Sequence, residues 1–485
     1  MDISFDISSS FQISRTYSGC SLNHVRHVLR HPNKNILREE FPAWHDKYGP
    51  IIRIEPDHLH IRDIDAFNQV HKMGSRFDKE PALYSFPFSK GSIFNTWSNK
   101  VARGHRDMYA PYFSRTAIVN LQSVDKENLG KFLKRMDAMA ADSRTIDLTR
   151  GFKCLTGDTI LRYIFNQSFN ALDSPGFIHP LIDPVEDFIS DWTFTAAWYF
   201  PKLMGVIAAV CIKWPRIGKL NKSFKCALEQ VEFCGQRVVE FREREKDQRA
   251  HIFYAPLNPN PKKGHPTLNE ITLARDGWIL FFAGTDTSAG TLAFGTWHLL
   301  NNPHHLRMLQ EELKKAIPKS DDLSTIEQGW VELEKLDFLR AVVKESLRLF
   351  YGIPGKNPRV VPPEGTTLCG QFIPGGTVIS MSAYTYQHNP AYFSTHPHHE
   401  FRPERWLKKE DAEWNEKFLF PFGRGARNCL GQNLALATLY MTFAYIFRRF
   451  ELELFETTKE DMDWHDGLLP MTFGHLKVKA KRMQE

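Results

Sequence analysis

The sequence predicts a mainly α protein with small β-sheets, and three observations carry that expectation. From Thr267 to Asn301 a helical pattern runs for roughly 34 residues, about 50 Å of rod. From about 115 to 250 the pattern is again mainly helical. The β signals are short and scattered: YGPIIRIEPDHLHIRD near the start, then RVVPPEG and IPGGTVISMSAY in the last third.

Residues 1–35 are polar and unpatterned, and poor order is expected there. MDISFDISSSFQISRTYSG has neither a basic leader nor an apolar run, so neither signal peptide nor transmembrane anchor is expected. In the first β unit Ile52 and Ile54 alternate with Arg53, Glu55-Pro56-Asp57 turns, and Leu59 and Ile61 alternate with histidines. The longest apolar run, LMGVIAAVCI at 203–212, is too short to cross a bilayer. It reads as a buried helix, or as a patch that dips into a membrane surface.

APLNPNPKKGHP carries Pro256, Pro259, Pro261 and Pro266, so neither helix nor central strand fits, and a mobile connector is expected. Thr267-Leu268-Asn269-Glu270 then reads as a capping box that starts the long helix. That helix holds Gly277, Gly284, Gly290 and Gly295, each costing about 1 kcal/mol relative to Ala. A second helix is expected from Leu333 to about Phe350, and a last one over 429–450.

Apolar residues make up 42% of the chain and charged ones 24%, as in a globular protein with a large core. Aromatics at 13%, including 37 Phe, suit an apolar ligand as well as an ordinary interior. A net charge of +6 is mild for 485 residues and is no nucleic-acid signature. The seven cysteines are odd in number and form no CxxC pair, which argues against a disulfide framework and a structural zinc site. A reducing compartment follows: the cytoplasm or the cytosolic face of a membrane.

One cysteine is placed unlike the others. FPFGRGARNCLGQN sets Cys429 between a glycine-rich loop and a helix expected from about Leu430. Free N–H groups at a helix start, with Arg427 nearby, favour an anion, so a lowered thiol pKa is expected. Gly425 and Gly431 are read as sites where a Cβ would clash. Such a thiolate suits a nucleophile, a zinc ligand or a haem-iron ligand. The lack of His partners at metal spacing argues against zinc; a nucleophile stays open.

Phe422-x-x-Gly425-x-Arg427-x-Cys429-x-Gly431 resembles the haem-binding signature of the cytochrome P-450 monooxygenases. The resemblance runs over about 48–478 and implies that family's α+β fold, with a long central helix over the haem. It implies one haem domain over 36–485, with haem b (heme) bound through Cys429 thiolate as axial ligand, a ligation that favours O–O cleavage. Phe422 is implied to pack beside the ligand loop, and Arg427 to pair with a haem propionate. Ala283-Gly284-Thr285-Asp286-Thr287-Ser288 resembles the oxygen-activation motif: Gly284 leaves room, Thr287 hydrogen-bonds dioxygen and Asp286 helps relay protons. By itself, a Thr in a helix is more often bonded back to its own backbone.

Glu345-Ser346-Leu347-Arg348 with Arg405, from FRPERW, is similar to the family's buried structural triad. Arg359 matches its strand arginine and Arg106 its haem-contacting helix arginine. Four residues before Arg106 the family usually carries Trp or His; this chain has Ala102. The implied substrate pocket includes Phe282, Ala283, Thr287 and the stretch from Ile353 to Asn357. The His396, His398 and His399 cluster reads as a solvated loop.

The closest flavour of the resemblance is a filamentous-fungal group that includes trichodiene oxygenase, on RLFYGIPGKNPRVVPPEG, RNCLGQNLA and FRRFELELFETT. It implies oxidation of an apolar terpenoid, polyketide or alkaloid, with electrons from NADPH–cytochrome P-450 reductase. A basic face with Arg424 and Arg427 is expected to receive that acidic partner. Without an N-terminal anchor, peripheral docking through residues 192–212 on the endoplasmic reticulum, or a cytoplasmic location, is expected. Two alternatives are kept: a haem-thiolate isomerase or dehydratase acting on a peroxide, and a non-catalytic haem protein.

Overall fold

The computed structural model describes residues 36–81, 83–84, 89–183, 206, 210, 222–244, 251–318 and 321–483. The expectations for 1–35 and, apart from Val206 and Val210, for 192–212 lie outside the described residues.

Helices dominate. Those that build the site are α1 (Asn99–Tyr109), α2 (Leu148–Phe165), α3 (Glu270–Leu300), α4 (Asp337–Phe350) and α5 (Gln432–Arg449). α3 is a single rod of 31 residues, about 46 Å. It starts later than the expected capping box, because Asn269 caps it by accepting from Thr272 N–H at 2.8 Å. Residues on all its faces are buried, since α2, α4, α5 and the helix Lys222–Arg244 pack around it. Its glycines permit that enclosure: a Cβ on Gly290 would lie 2.2 Å from Phe350 Cζ of α4, and one on Gly295 2.5 Å from Phe443 Cζ of α5. α4 begins at Asp337, after a separate turn at Trp330–Leu333, and ends where Tyr351 turns left-handed at φ 65°.

The largest sheet has five strands: β1 (Ile51–Glu55), β2 (His58–Ile61), β3 (Asp78–Lys79), β4 (Arg359–Val360) and β5 (Val378–Ser380), in the order β1-β2-β5-β4-β3. Lys79 pairs directly with Arg359 across β3 and β4. The alternation expected in β2 fails, because all four of its residues are buried. The helix Ile36–Tyr48 covers the histidine face, with His45 Nε2 2.7 Å from His60 Nδ1.

The proline-rich connector is also not free. Asn260 caps a short turn at Pro261–Lys263. Gly264 O sits 2.0 Å from where a Cβ on Gly104 of α1 would be, so the two backbones touch. The helical core and a second apolar cluster around the sheet both give side chains to one cavity, Ile160 and Leu434 from the first and Phe67, Met381 and Phe420 from the second. The site lies there.

Candidate functional site

A cavity of about 320 Å³ opens between the two cores. Ala283, Gly284 and Thr287 of α3 line it, and so do residues 422–424 and 427–431 of the cysteine loop, Cys429 among them, whereas Gly425 lies behind the wall. Apolar side chains such as Ile160, Phe113 and Leu434 complete its walls.

The loop is wound by its own backbone. Cys429 N–H donates to Phe422 O at 2.7 Å, and Gly423 and Gly425 take φ of 64° and 68°. A Cβ on Gly425 would fall 1.8 Å from His71 O, so only glycine fits. Gly431 differs from expectation: it caps α5 at φ −84°, and a Cβ there would meet no protein atom. Cys429 is exposed, but to the cavity rather than to the outer surface. Burial pushes its thiol up from the ordinary value, more than the Gly431 N–H and the Arg106 guanidinium bring it down. The expected lowered pKa is therefore overturned. The helix start and one guanidinium do not offset desolvation, and the cation beside the sulfur is Arg106, not Arg427. A metal cation held by Cys429 would supply the missing charge, since coordination deprotonates a thiol.

Five cations line the cavity: Lys79, Arg106, Arg359, Arg424 and Arg427. No Asp or Glu among the described residues lines it. Arg106 donates to Asn428 O and Oδ1, both at 2.7 Å, tying α1 to the cysteine loop. Arg427 reaches Thr96 O at 2.7 Å and Asn99 Oδ1 at 3.3 Å, so it belongs to the cavity and not to an outer docking face. Arg424 reaches from the cavity wall to the surface, where it donates to Asn68 Oδ1 at 2.7 Å. Arg359 is buried and its Nε has no partner.

On α3, Thr287 Oγ1 donates to Ala283 O at 2.8 Å, the back-bonded state usual for a helical Thr. It still lines the cavity; Asp286 does not. Asp286 is buried and pairs with Lys153 Nζ of α2 at 3.2 Å. Gly284 lines the cavity, but its missing Cβ makes room for Ile160, whose Cγ1 would lie 2.8 Å away. Phe282 is misplaced by the sequence reading. It stacks on Trp278 at 5.4 Å between centroids and is absent from the cavity wall, one residue round the helix from Ala283. Ile353 and Asn357 line the cavity, whereas Lys356 points to Glu55.

Glu345, Arg348 and Arg405 are wholly buried. Arg348 grips the carboxylate with Nε at 2.9 Å and Nη2 at 2.8 Å, and Arg405 Nε adds 3.0 Å. Burial alone would raise the Glu345 pKa, but Arg348 and Arg405 hold it at about 2. The histidine loop supplies carbonyls to this knot, His398 O and Glu400 O to Arg348 and Pro397 O to Arg405. It is a structural loop. Lys79 and Lys153 were not legible in the sequence, since strand pairing and helix packing alone bring them to the site.

The residues suit the haem that the resemblance implies. A sulfur touches empty space, apolar walls flank it, and an orphaned Arg359 Nε stands among cations with no carboxylate. Residues 21–478 match the cytochrome P-450 family. The cytochrome P-450 monooxygenase astB of Aspergillus terreus is 33% identical over 436 residues, 86% of this chain and 81% of that protein. The cytochrome P-450 monooxygenase macH of Penicillium terrestre is 29% identical over 450 residues, 91% of this chain and 86% of that one. TRI4 of Trichoderma arundinaceum, also a cytochrome P-450 monooxygenase, is 30% identical over 434 residues, 87% and 81%. The extent of these matches and the cysteine loop lead to one conclusion: this chain belongs to the cytochrome P-450 family, oxidoreductases that incorporate molecular oxygen and carry haem on a cysteine thiolate.

Proposed function

We propose that residues 36–485 form one haem domain that inserts an oxygen atom from dioxygen into an apolar secondary metabolite, a terpenoid, polyketide or alkaloid. Cys429 is the axial ligand. The observation that carries this reading is that Cys429, Gly284 and Thr287 line a single cavity. When bound there, haem supplies the activation of dioxygen. The chain does the rest. Arg359, Arg427 and Arg106 hold the carboxylates of the group, Phe422 and Gly425 shape the loop, and Gly431 N–H is directed at the sulfur. Ala283 and Ile353 exclude water and hold a carbon skeleton by shape. Thr287 Oγ1 can leave Ala283 O to hydrogen-bond an oxygen atom in the pocket, and Asp286 behind it holds a proton-accepting charge beside Lys153.

NADPH–cytochrome P-450 reductase is the proposed electron source, docking over the face that holds Arg424. The location is the cytosolic face of the endoplasmic reticulum, peripherally, or the cytoplasm. Among the described residues no helix is long and apolar enough to cross a membrane.

The test is the carbon-monoxide spectrum of reduced protein, wild type beside Cys429→Ser. A thiolate-type spectrum lost in the variant is expected; an imidazole-type spectrum unchanged by the substitution overturns the reading. A second reading, a haem-thiolate isomerase or dehydratase acting on a peroxide, draws on the commitment of Asp286 to Lys153. Isotopic dioxygen separates the two: label in the product supports insertion, and unlabelled product supports rearrangement.

A further inference from the structure

Lys79 is a residue that neither the motifs nor the family resemblance singled out, and it lies in the cavity wall at 6% exposure. Burying an ammonium costs several kcal/mol unless an anion meets it. Among the described residues no carboxylate lies within ion-pair distance of its Nζ. Its neighbours are instead the Phe94 carbonyl, at 2.7 Å, and the faces of Phe94 and Tyr84, at 3.9 and 4.1 Å. Burial first, then the positive charges of Arg427, Arg359 and Arg106, push its pKa well below the ordinary lysine value, so an anion beside it is what holds it protonated.

The fold gathers these cations deliberately close. Strand pairing sets Lys79 opposite Arg359. Phe94 O is shared, accepting from Lys79 Nζ and from Arg427 Nη2 at 3.4 Å. Asp78, the adjacent acid, is turned the other way and caps Asn99 N–H at 2.7 Å. Lys79 Nζ donates to Phe94 O alone among the described residues, fewer hydrogen bonds than an ammonium can make, and the cavity it lines carries no carboxylate there.

We infer that Lys79 is a further cofactor-binding residue of this chain, which with Arg359 and Arg427 holds a propionate carboxylate of the haem. The inference rests on the haem reading above and adds a residue to it. A cation at the porphyrin edge also favours the state with one more electron, so Lys79 raises the midpoint potential of the iron.

The test uses purified holoenzyme: wild type, Lys79→Met, which keeps the length and apolar stem, and Lys79→Gln, which keeps a donor to Phe94 O without the charge. Haem release to an excess of apomyoglobin is expected to speed up by about ten- to hundredfold in both variants, the worth of a charge-assisted hydrogen bond. Their midpoint potentials are expected to fall, with the thiolate-type carbon-monoxide spectrum retained. When the same proteins are rebuilt with haem whose propionates are methyl esters, the difference in release rate between wild type and variants is expected to vanish. Release rates and potentials equal to wild type would overturn the role of Lys79 while leaving the haem reading intact. An equal defect with the ester would also overturn it, showing that Lys79 acts through packing. A wild-type protein that takes up no haem would remove both.

Discussion

Glu345→Gln is the sharpest probe of what holds this fold. Its carboxylate accepts from Arg348 Nε and Nη2, Arg405 Nε, Arg402 N–H and Trp406 Nε1. The amide of glutamine turns two N–H groups toward some of those donors and leaves two buried guanidiniums without an anion. Removing one member of a buried ion pair costs about 3–5 kcal/mol, a large share of the roughly 5–15 kcal/mol that keeps a protein folded. With a urea slope of about 3 kcal/mol per M, the unfolding midpoint falls by on the order of 1 M. Tryptophan fluorescence in urea measures it, because Trp406 reports from the triad itself. The wild-type carboxylate sits at about 2 against its ordinary 4.5, so its stabilisation is full above 4.5 and lost as pH falls toward 2. The penalty should thus be constant from neutral pH down to about 4.5 and shrink below it. A midpoint unchanged at neutral pH would refute the argument that the triad is held by its charges.

Other perturbations follow from the same geometry. Gly290→Ala gains about 1 kcal/mol of helix propensity but drives a Cβ into Phe350. Overpacking at about 1–3 kcal/mol should win, giving a lower urea midpoint. His45 is held at about 4 by burial, and its Nδ1 faces Gly49 O while Nε2 accepts from His60. The unfolded chain binds the proton more tightly, so His45 subtracts stability as pH falls through 6.5 toward 4. Relative to His45→Gln, wild type should lose on the order of 3 kcal/mol over that window, read from urea midpoints at several pH values. Thr287→Ala removes the only hydroxyl proposed to meet oxygen. Product per NADPH should fall by about tenfold or more, with hydrogen peroxide released instead, measured by parallel product and peroxide assays.

What was legible in the sequence was what few neighbouring residues encode. The glycine at 425 before Cys429, the i, i+3 pair of Glu345 and Arg348, and the period of α3 are local patterns, and each has its counterpart in the structure. The errors share one cause. Phe282 and Ala283 are adjacent in sequence, yet packing against Trp278 turns one away and leaves the other at the cavity. His60 reads as the polar face of a strand until the helix Ile36–Tyr48 covers it. The prolines of the connector exclude helix and strand, but contact with α1 decides that it is held.

The helical architecture and the sulfur loop could be read from the residues alone, because turn chemistry and helical periodicity act over a few positions. The burial that raises the thiol of that sulfur, the pairing of Asp286 with Lys153 and the meeting of Lys79 with Arg359 arise only on packing. Charge energetics depend on burial and on partners distant in the chain, and neither exists until the elements have packed.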